Sequence, residues 1–326
     1  MTRVRWVRAF ACWFACAALP AQEPPAPPAT VRASVDRVSV GVIVTDARGN
    51  FLEGLRKDDF RVFDDGVEQP IAEFASVNDP AQVVLLVETG PAVYLLESNH
   101  LQAALALLEG LAPGDSVAVA GYTDRALPVL GFTTDKRAAA NALDSLRFRT
   151  GFADLNLSSA LAGVLSSLAS LPGKKTIVLL STGLDTSPPP ARDAVLDALR
   201  LGDVRVLAVS LSAGLRGAPA KGKRAPSSEK SGDVAAGLAE ADARLKALAE
   251  ITGGRAFFPA NGREMSAAFA QIAQLVRHEY SLSFVPPARD AKPHSIEVRL
   301  ALAAPPHSQA AARLSHRLAY RAPSPP

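Results

Sequence analysis

The rhythm of apolar and polar positions changes twice along this chain. Over 32–75 it is the rhythm of β-structure: "VDRVSVGVIVTD" alternates and is rich in Val and Ile, and "DARGN" reads as a turn. "DDFRVFDDGVEQPIAEF" then reads as strand, Asp-Asp-Gly turn and strand. Asp-Gly between alternating flanks is a hairpin signal, because the tight turn needs positive φ at its centre. No helical period appears in this stretch, so a small sandwich-like β-unit is expected over 32–79.

From residue 80 the alternation disappears. "QVVLLVET", "KKTIVLLST" and "VRVLAVSLS" are continuous apolar runs, as expected of strands covered on both sheet faces. Helical spacing lies between them, in "SNHLQAALALLEGL", "KRAAANALDSL", "NLSSALAGVLSSLASL", "ARDAVLDALRLG", "VAAGLAEADARLKALAEIT" and "REMSAAFAQIAQLVRHEY". Gly110 and Pro113 close the first of these helices and Gly202 the fourth. "DSVAVAGYTD" and "ALPVLGFTTD" form a hairpin that places an antiparallel strand at an edge, and "RAFFPA" is a short strand. Strand and helix alternate over 80–280, the signature of an α/β fold: a doubly wound, mostly parallel sheet with helices on both faces. The polar, Gly-, Pro- and Lys-containing stretch 214–233 interrupts the pattern and reads as an exposed flexible loop.

After 280 the β-rhythm returns in "YSLSFVPP", "SIEVRLAL" and "HRLAYRAP". A lone hairpin is marginal in water, so the strands of 281–322 are expected to pair with the N-terminal unit, leaving 323–326 as a disordered tail.

The first 21 residues read as a signal peptide: Arg3, Arg5 and Arg8 precede the short apolar "AFACWFACAAL", with a cleavage point after Ala21, and an uncleaved membrane anchor is the alternative reading. A Pro-rich linker over 22–31 follows. Losing the leader takes the 35 basic residues to 32, equal to the 32 acidic ones, which removes the support for nucleic-acid binding. It also removes Cys12 and Cys16, and with them any disulfide or thiol chemistry. No other segment is long and apolar enough to span a membrane. The chain is thus expected to be exported, to the periplasm, cell envelope or exterior.

The order of elements resembles the von Willebrand factor type A superfamily. "GYTDRALPVLGFTTD" resembles that family's second and third strands, "IVLLSTGLDT" its fourth and "GGRAFFP" its last. "VTDARGNFLEGLRKDDFRVFDDGVEQPIAEF" and "HEYSLSFVPP" resemble a secreted bacterial branch, the VWFA-related acidobacterial domain proteins. The resemblance implies a metal-ion-dependent adhesion site built from Asp-x-Ser-x-Ser after the first strand, a Thr from a second loop and an Asp after the fourth strand. Hard cations such as Mg²⁺ want such oxygen ligands.

Here the five positions fall on Glu88, Gly90, Ala92, Leu155 and Thr182. Two hydroxyls are gone, one ligand is apolar, Glu88 is one methylene too long and Thr182 is neutral. The metal site therefore reads as degenerate, with no cofactor. A rebuilt site using Glu88, Thr89, Asp154 and Asp185 is the metal-dependent alternative, since all four are expected at the carboxyl edge of the sheet.

Other chemistry finds little support. "ETGPA" has one glycine, and Pro91 lacks an N–H, so it is no phosphate cradle. No G-x-S-x-G nucleophile elbow occurs, which disfavours an α/β hydrolase. His100, His278, His294, His307 and His316 show no metal-ligand spacing, and Asp58–Asp59 and Asp64–Asp65 read as turn residues. The expected function is non-enzymatic protein–protein interaction or adhesion, with an unidentified protein partner and no small-molecule cofactor. Binding is expected through the top-face loops that carry Glu88, Thr89, Asp154, Thr182 and Asp185.

Overall fold

The central sheet of the computed structural model has six strands. In chain order they are β5 (Ala81–Glu88), β6 (Ser116–Tyr122), β7 (Ala126–Thr133), β8 (Lys174–Ser181), β9 (Val204–Ser210) and β10 (Arg255–Phe257). Their spatial order is β10-β9-β8-β5-β6-β7, parallel throughout except for the antiparallel edge strand β7. The order reverses at β5, which lies between β6 and β8. The structure describes residues 37–77, 79–94, 99–150, 154–217, 228–301 and 312–324. The expected leader over 1–21, the Pro-rich stretch 22–31 and both cysteines lie outside them.

Side-chain alternation explains the apolar runs. Val83, Leu85 and Val87 of β5 point into one core with the helices α2 (Asn99–Gly110), α3 (Lys136–Asp144) and α8 (Gly262–Arg277). Val84 and Leu86 point into the opposite core with α4 (Leu157–Leu168), α5 (Pro189–Leu201) and α7 (Ser228–Ile251). The short helices α1 (Pro91–Tyr94) and α6 (Ser212–Gly217) follow β5 and β9. The exposed loop expected over 214–233 is corrected in part, since α6 and the start of α7 cover its ends and 218–227 lie outside the described residues. The residues from Ser228 to Asp233 carry no apolar period, so only their place at the head of a long helix makes them helical.

The flanks of the chain interleave in two four-stranded sheets. One, in the order β13-β1-β11-β4, is made of β1 (Val38–Thr45), β4 (Glu73–Val77), β11 (Glu279–Phe284) and β13 (Arg313–Ser315). The other, in the order β14-β12-β2-β3, is made of β2 (Phe60–Asp64), β3 (Val67–Gln69), β12 (Pro293–Leu300) and β14 (Ala319–Arg321). Their inner faces share one apolar core, in which Phe60 packs on Tyr280 at 5.3 Å between ring centroids and Phe284 meets Tyr320 edge-on at 5.8 Å. β11 begins at Glu279, so the chain enters this unit before the boundary drawn at 280. At its other end Pro323, assigned to the tail, accepts a hydrogen bond from Ala291 N at 3.3 Å.

Asp36–Pro326 form one compact unit, and the joint lies at the amino ends of the central strands. Arg205, second residue of β9, donates to Glu279 Oε2 at 2.9 Å and to Gly41 O at 3.4 Å. Arg317 donates to Ser39 O at 2.6 Å and Arg255 to Thr45 Oγ1 at 3.0 Å. The Arg205 and Glu279 side chains are only 11% and 10% exposed, so neither finds water in place of the other. Truncating one partner of a buried pair strands the other charge. Glu279→Ala is expected to lower stability by about 3–5 kcal/mol in urea titration; a loss below about 1 kcal/mol contradicts this role for the pair.

Candidate functional site

Parity along three neighbouring strands builds the site. Val84 and Leu86 face the α4/α5/α7 core, so the next residue of that parity, Glu88, faces it too. Ala118 and Ala120 on β6 lead to Tyr122 in the same way, and Ile177 and Leu179 on β8 lead to Ser181. Glu88 and Tyr122 are direct partners in the register, and all three residues end their strands. The point is where the strand order reverses, the place where open α/β sheets bind ligands.

Here the place is closed. Glu88 is fully buried, as are Tyr122, Ser181 and Thr182. Glu88 Oε2 accepts from Thr182 N and Thr182 Oγ1, both at 2.8 Å. Ser181 Oγ and Tyr122 OH lie 3.1 and 3.2 Å from the same oxygen and 2.6 Å from each other. Oε1 accepts from Thr182 Oγ1 at 3.0 Å. None of these donors is a cation. Burial outweighs the donated bonds and raises the Glu88 carboxyl above its ordinary value. Burial, with Glu88 beside it, also lifts the Tyr122 phenol well above its usual range.

Leu155 fills what remains. A methyl built at Gly90 meets Leu155 Cδ2 at 2.5 Å, and the same point lies 3.8 Å from Glu88 Oε1. Glycine, leucine and carboxylate therefore share one small volume, and a serine at 90 does not fit while Leu155 is there. Leu155 is itself buried and pinned. Its carbonyl accepts from Thr186 N at 2.7 Å, and the next residue, Asn156, donates its N–H to Thr123 O at 2.7 Å. Gly183 seals the far side. It takes φ of +77°, and a Cβ there lies 2.4 Å from Ala241 O of α7, so only glycine permits the helix to come so close.

The other residues singled out from sequence do not converge on Glu88. Thr89 is buried, and its N–H and hydroxyl both donate to Tyr122 O, at 2.8 and 3.0 Å. Asp185 is half-buried and accepts from Ser158 Oγ at 2.6 Å and Ser187 N at 3.0 Å, tying its loop to α4. Asp154 is exposed. Of the five top-face residues only Asp154 is fully open to a partner. Ala92, half-buried in α1, brings no oxygen donor beyond its backbone. Sequence reasoning passed over Tyr122 and Ser181. The signal that finds them is parity: each continues an inward-facing apolar series with a hydroxyl.

A Mg²⁺ ion does not fit these residues. One carboxylate is available, its Oε2 is surrounded by protein donors, and an apolar side chain occupies the space beside Oε1. Mg²⁺ asks for six oxygens in octahedral array and dehydrates reluctantly.

The described strands form an open, mostly parallel α/β sheet with one antiparallel edge, whose order reverses at the strand that ends in Glu88. That arrangement is consistent with the von Willebrand factor type A fold of the solved structures it is similar to. No family model matches the sequence, and no curated protein does. Among solved structures, the chain is similar to a von Willebrand factor type A protein from Catenulispora acidiphila, at 11% identity over 84% of this chain and 76% of that one (TM-score 0.47). It is also similar to an aerotolerance-related membrane protein from Bacteroides fragilis, at 15% identity over 60% of this chain and 99% of that one (TM-score 0.44). A third is the vWF domain of the type V pili tip protein Mfa5 from Porphyromonas gingivalis, at 11% identity over 62% of this chain and 96% of that one (TM-score 0.43).

Two substitutions at Glu88 separate cage from charge. Glu88→Ala leaves three hydroxyls and the Thr182 N–H without their acceptor and is expected to cost about 2–4 kcal/mol. Glu88→Gln keeps the shape and is expected to stay within about 1 kcal/mol of wild type at neutral pH. The pH profile gives the sign. Because the folded carboxyl titrates above the ordinary 4.5, the folded chain holds a proton that the unfolded chain has released. Stability attributable to Glu88 therefore falls as pH rises from 4.5 through the raised folded value, and then levels off. Glu88→Gln is expected to remove that fall in urea titrations across the range; an unchanged profile contradicts the assignment.

Proposed function

We propose that this protein is an exported, non-enzymatic interaction module, which binds a protein partner through the loops at the carboxyl edge of its type A sheet without a metal bridge. The observation that carries the reading is the Glu88 cage. The acid that the resemblance would assign to a metal is spent on Thr182, Ser181 and Tyr122, and Leu155 stands beside it. Export rests on the basic and apolar leader over 1–21, followed by the linker over 22–31. In this reading the β-unit of 32–79 and 281–322 flanks the α/β domain of 80–280. No helix among the described residues is long and apolar enough to cross a membrane.

Contact falls to the exposed parts of those loops. Asp154 is open and Asp185, in the loop joining β8 to α5, is half-open; Thr186 of that loop donates to Leu155 O, next to Asp154. The near balance of acids and bases after leader removal suits a protein partner better than a polyanion.

Melts of EDTA-treated protein with Mg²⁺, Mn²⁺ or Ca²⁺ test the reading. A cation that binds the folded state stabilises it by about 2.7 kcal/mol at a hundredfold excess over its dissociation constant. The expected result is no stabilisation that depends on Glu88, and envelope partners captured equally in EDTA and in Mg²⁺. A metal-induced shift lost in Glu88→Gln, or capture abolished by EDTA and restored by Mg²⁺, overturns the metal-free mechanism.

A further inference from the structure

The β2–β3 turn gathers chemistry that lies far apart in sequence. Alternation along β2 buries Phe60, Val62 and Asp64 on the core side. Asp65 and Gly66 then take positive φ, 47° and 81°, and turn the chain into β3. β12 pairs antiparallel with β2, Ile296 opposite Asp64, which brings His294 to the turn.

Asp64 is 2% exposed. Its Oδ2 accepts from Tyr320 OH at 3.1 Å, while its Oδ1 is buried with no hydrogen-bond partner. That oxygen is aimed at His294 Nδ1, 3.5 Å away. Asp65 Oδ1 accepts from Ser295 N and Ser295 Oγ at 2.8 and 2.9 Å, leaving Oδ2 2.9 Å from the same ring nitrogen. The three ligand-type atoms lie within 4.8 Å of one another. Across the ring, His294 Nε2 lies 3.2 Å from Asp290 Oδ1. An Nε2–H donated to Asp290 leaves the Nδ1 lone pair facing two carboxylates, the outer arrangement that orients metal-binding histidines.

A proton on Nδ1 serves Asp65 and leaves Asp64 Oδ1 without a hydrogen bond. A dication serves all three atoms and balances both carboxylates. Tetrahedral bonds of about 2.0–2.1 Å set ligand atoms ~3.3 Å apart, between the observed 2.9 and 3.5 Å. A ring nitrogen in the set favours Zn²⁺ and its first-row neighbours over Mg²⁺ or Ca²⁺. We propose that Asp64 Oδ1, Asp65 Oδ2 and His294 Nδ1 bind one divalent cation of the Zn²⁺ class, which staples the β2–β3 turn to β12. Water reaches the remaining position from the Asp65 side, where that side chain is 54% exposed. The site lies in the β-sandwich and stands or falls independently of the Glu88 cage.

Titration of ZnCl₂ into EDTA-treated protein, by calorimetry with melts alongside, tests the site. One equivalent is expected to saturate it and raise the melting temperature, with MgCl₂ at the same concentrations giving neither effect. Asparagine tolerates positive φ, so Asp65→Asn keeps the turn and is expected to weaken Zn²⁺ at least tenfold. His294→Gln abolishes binding, and Glu88→Gln leaves it intact. Melts in EDTA confirm that the variants are folded. X-ray absorption of the Zn²⁺-loaded wild type, which needs no variant, is expected to show one imidazole nitrogen among oxygens at about 2.0–2.2 Å. No saturable binding up to millimolar Zn²⁺, affinity unchanged in both Asp65→Asn and His294→Gln, or a spectrum lacking imidazole overturns the proposal.

Discussion

A carboxyl group buried among neutral donors at the end of the central strand is the constraint on which the carboxyl edge of this fold depends. Glu88 is buried and has no basic partner among its hydrogen bonds, so neutral donors surround it. An unpaired buried charge is the costliest group a core can hold. The solution uses the strand ends themselves: Tyr122 and Ser181 reach Glu88 from either side, and Thr182 gives both its N–H and its hydroxyl. These bonds leave one gap, and Leu155 fills it because position 90 has no side chain to stand in the way. Gly90 and Leu155 are therefore one event in the structure, although each looks like a separate loss of a ligand in the sequence.

The opposite edge of the sheet works by a different rule. There arginines bonded to a carboxylate and to backbone carbonyls join the two halves of the molecule. Arg205 reaches Glu279 and Gly41 and Arg317 reaches Ser39 across the seam, while Lys175 meets Asp203 at 2.8 Å within the α/β half. Arginine suits such a seam because its planar fork satisfies a carboxylate and a backbone carbonyl at once. The sandwich thus holds the amino edge while helix α7 closes over the carboxyl edge at Gly183. Exposed loop positions such as Asp154 stand clear of both.

Much of this was legible in the residues, and the reasons differ by element. Continuous apolar runs such as "QVVLLVET" announce strands covered on two faces, and the hairpin of β6 and the exposed edge strand β7 follows from two strand-like stretches around a tight turn. The degenerate ligand positions were legible one at a time. What holds Glu88 was not, because Tyr122 and Ser181 are 34 and 93 residues away and only strand pairing brings them in. The same limit hid the cluster at the β2–β3 turn. Asp64 and Asp65 read as turn residues, and His294 showed no spacing to any ligand, since 230 residues separate Asp65 from the strand that answers it. The stretch 214–233 misled through composition: Gly, Pro, Ser and Lys outweighed the helical context that α6 and α7 impose on its ends.

The most direct measurement is diffraction at the manganese absorption edge from crystals grown in a large excess of Mn²⁺. Anomalous scattering locates the ion without any assumption about ligands. The account predicts no peak within bonding distance of the Glu88 carboxylate, with Leu155 lodged against Gly90 and Thr182 donating to Oε2. A peak on Glu88, with the Leu155 side chain turned out to admit it, would contradict the claim that hydroxyls and a leucine have replaced the metal.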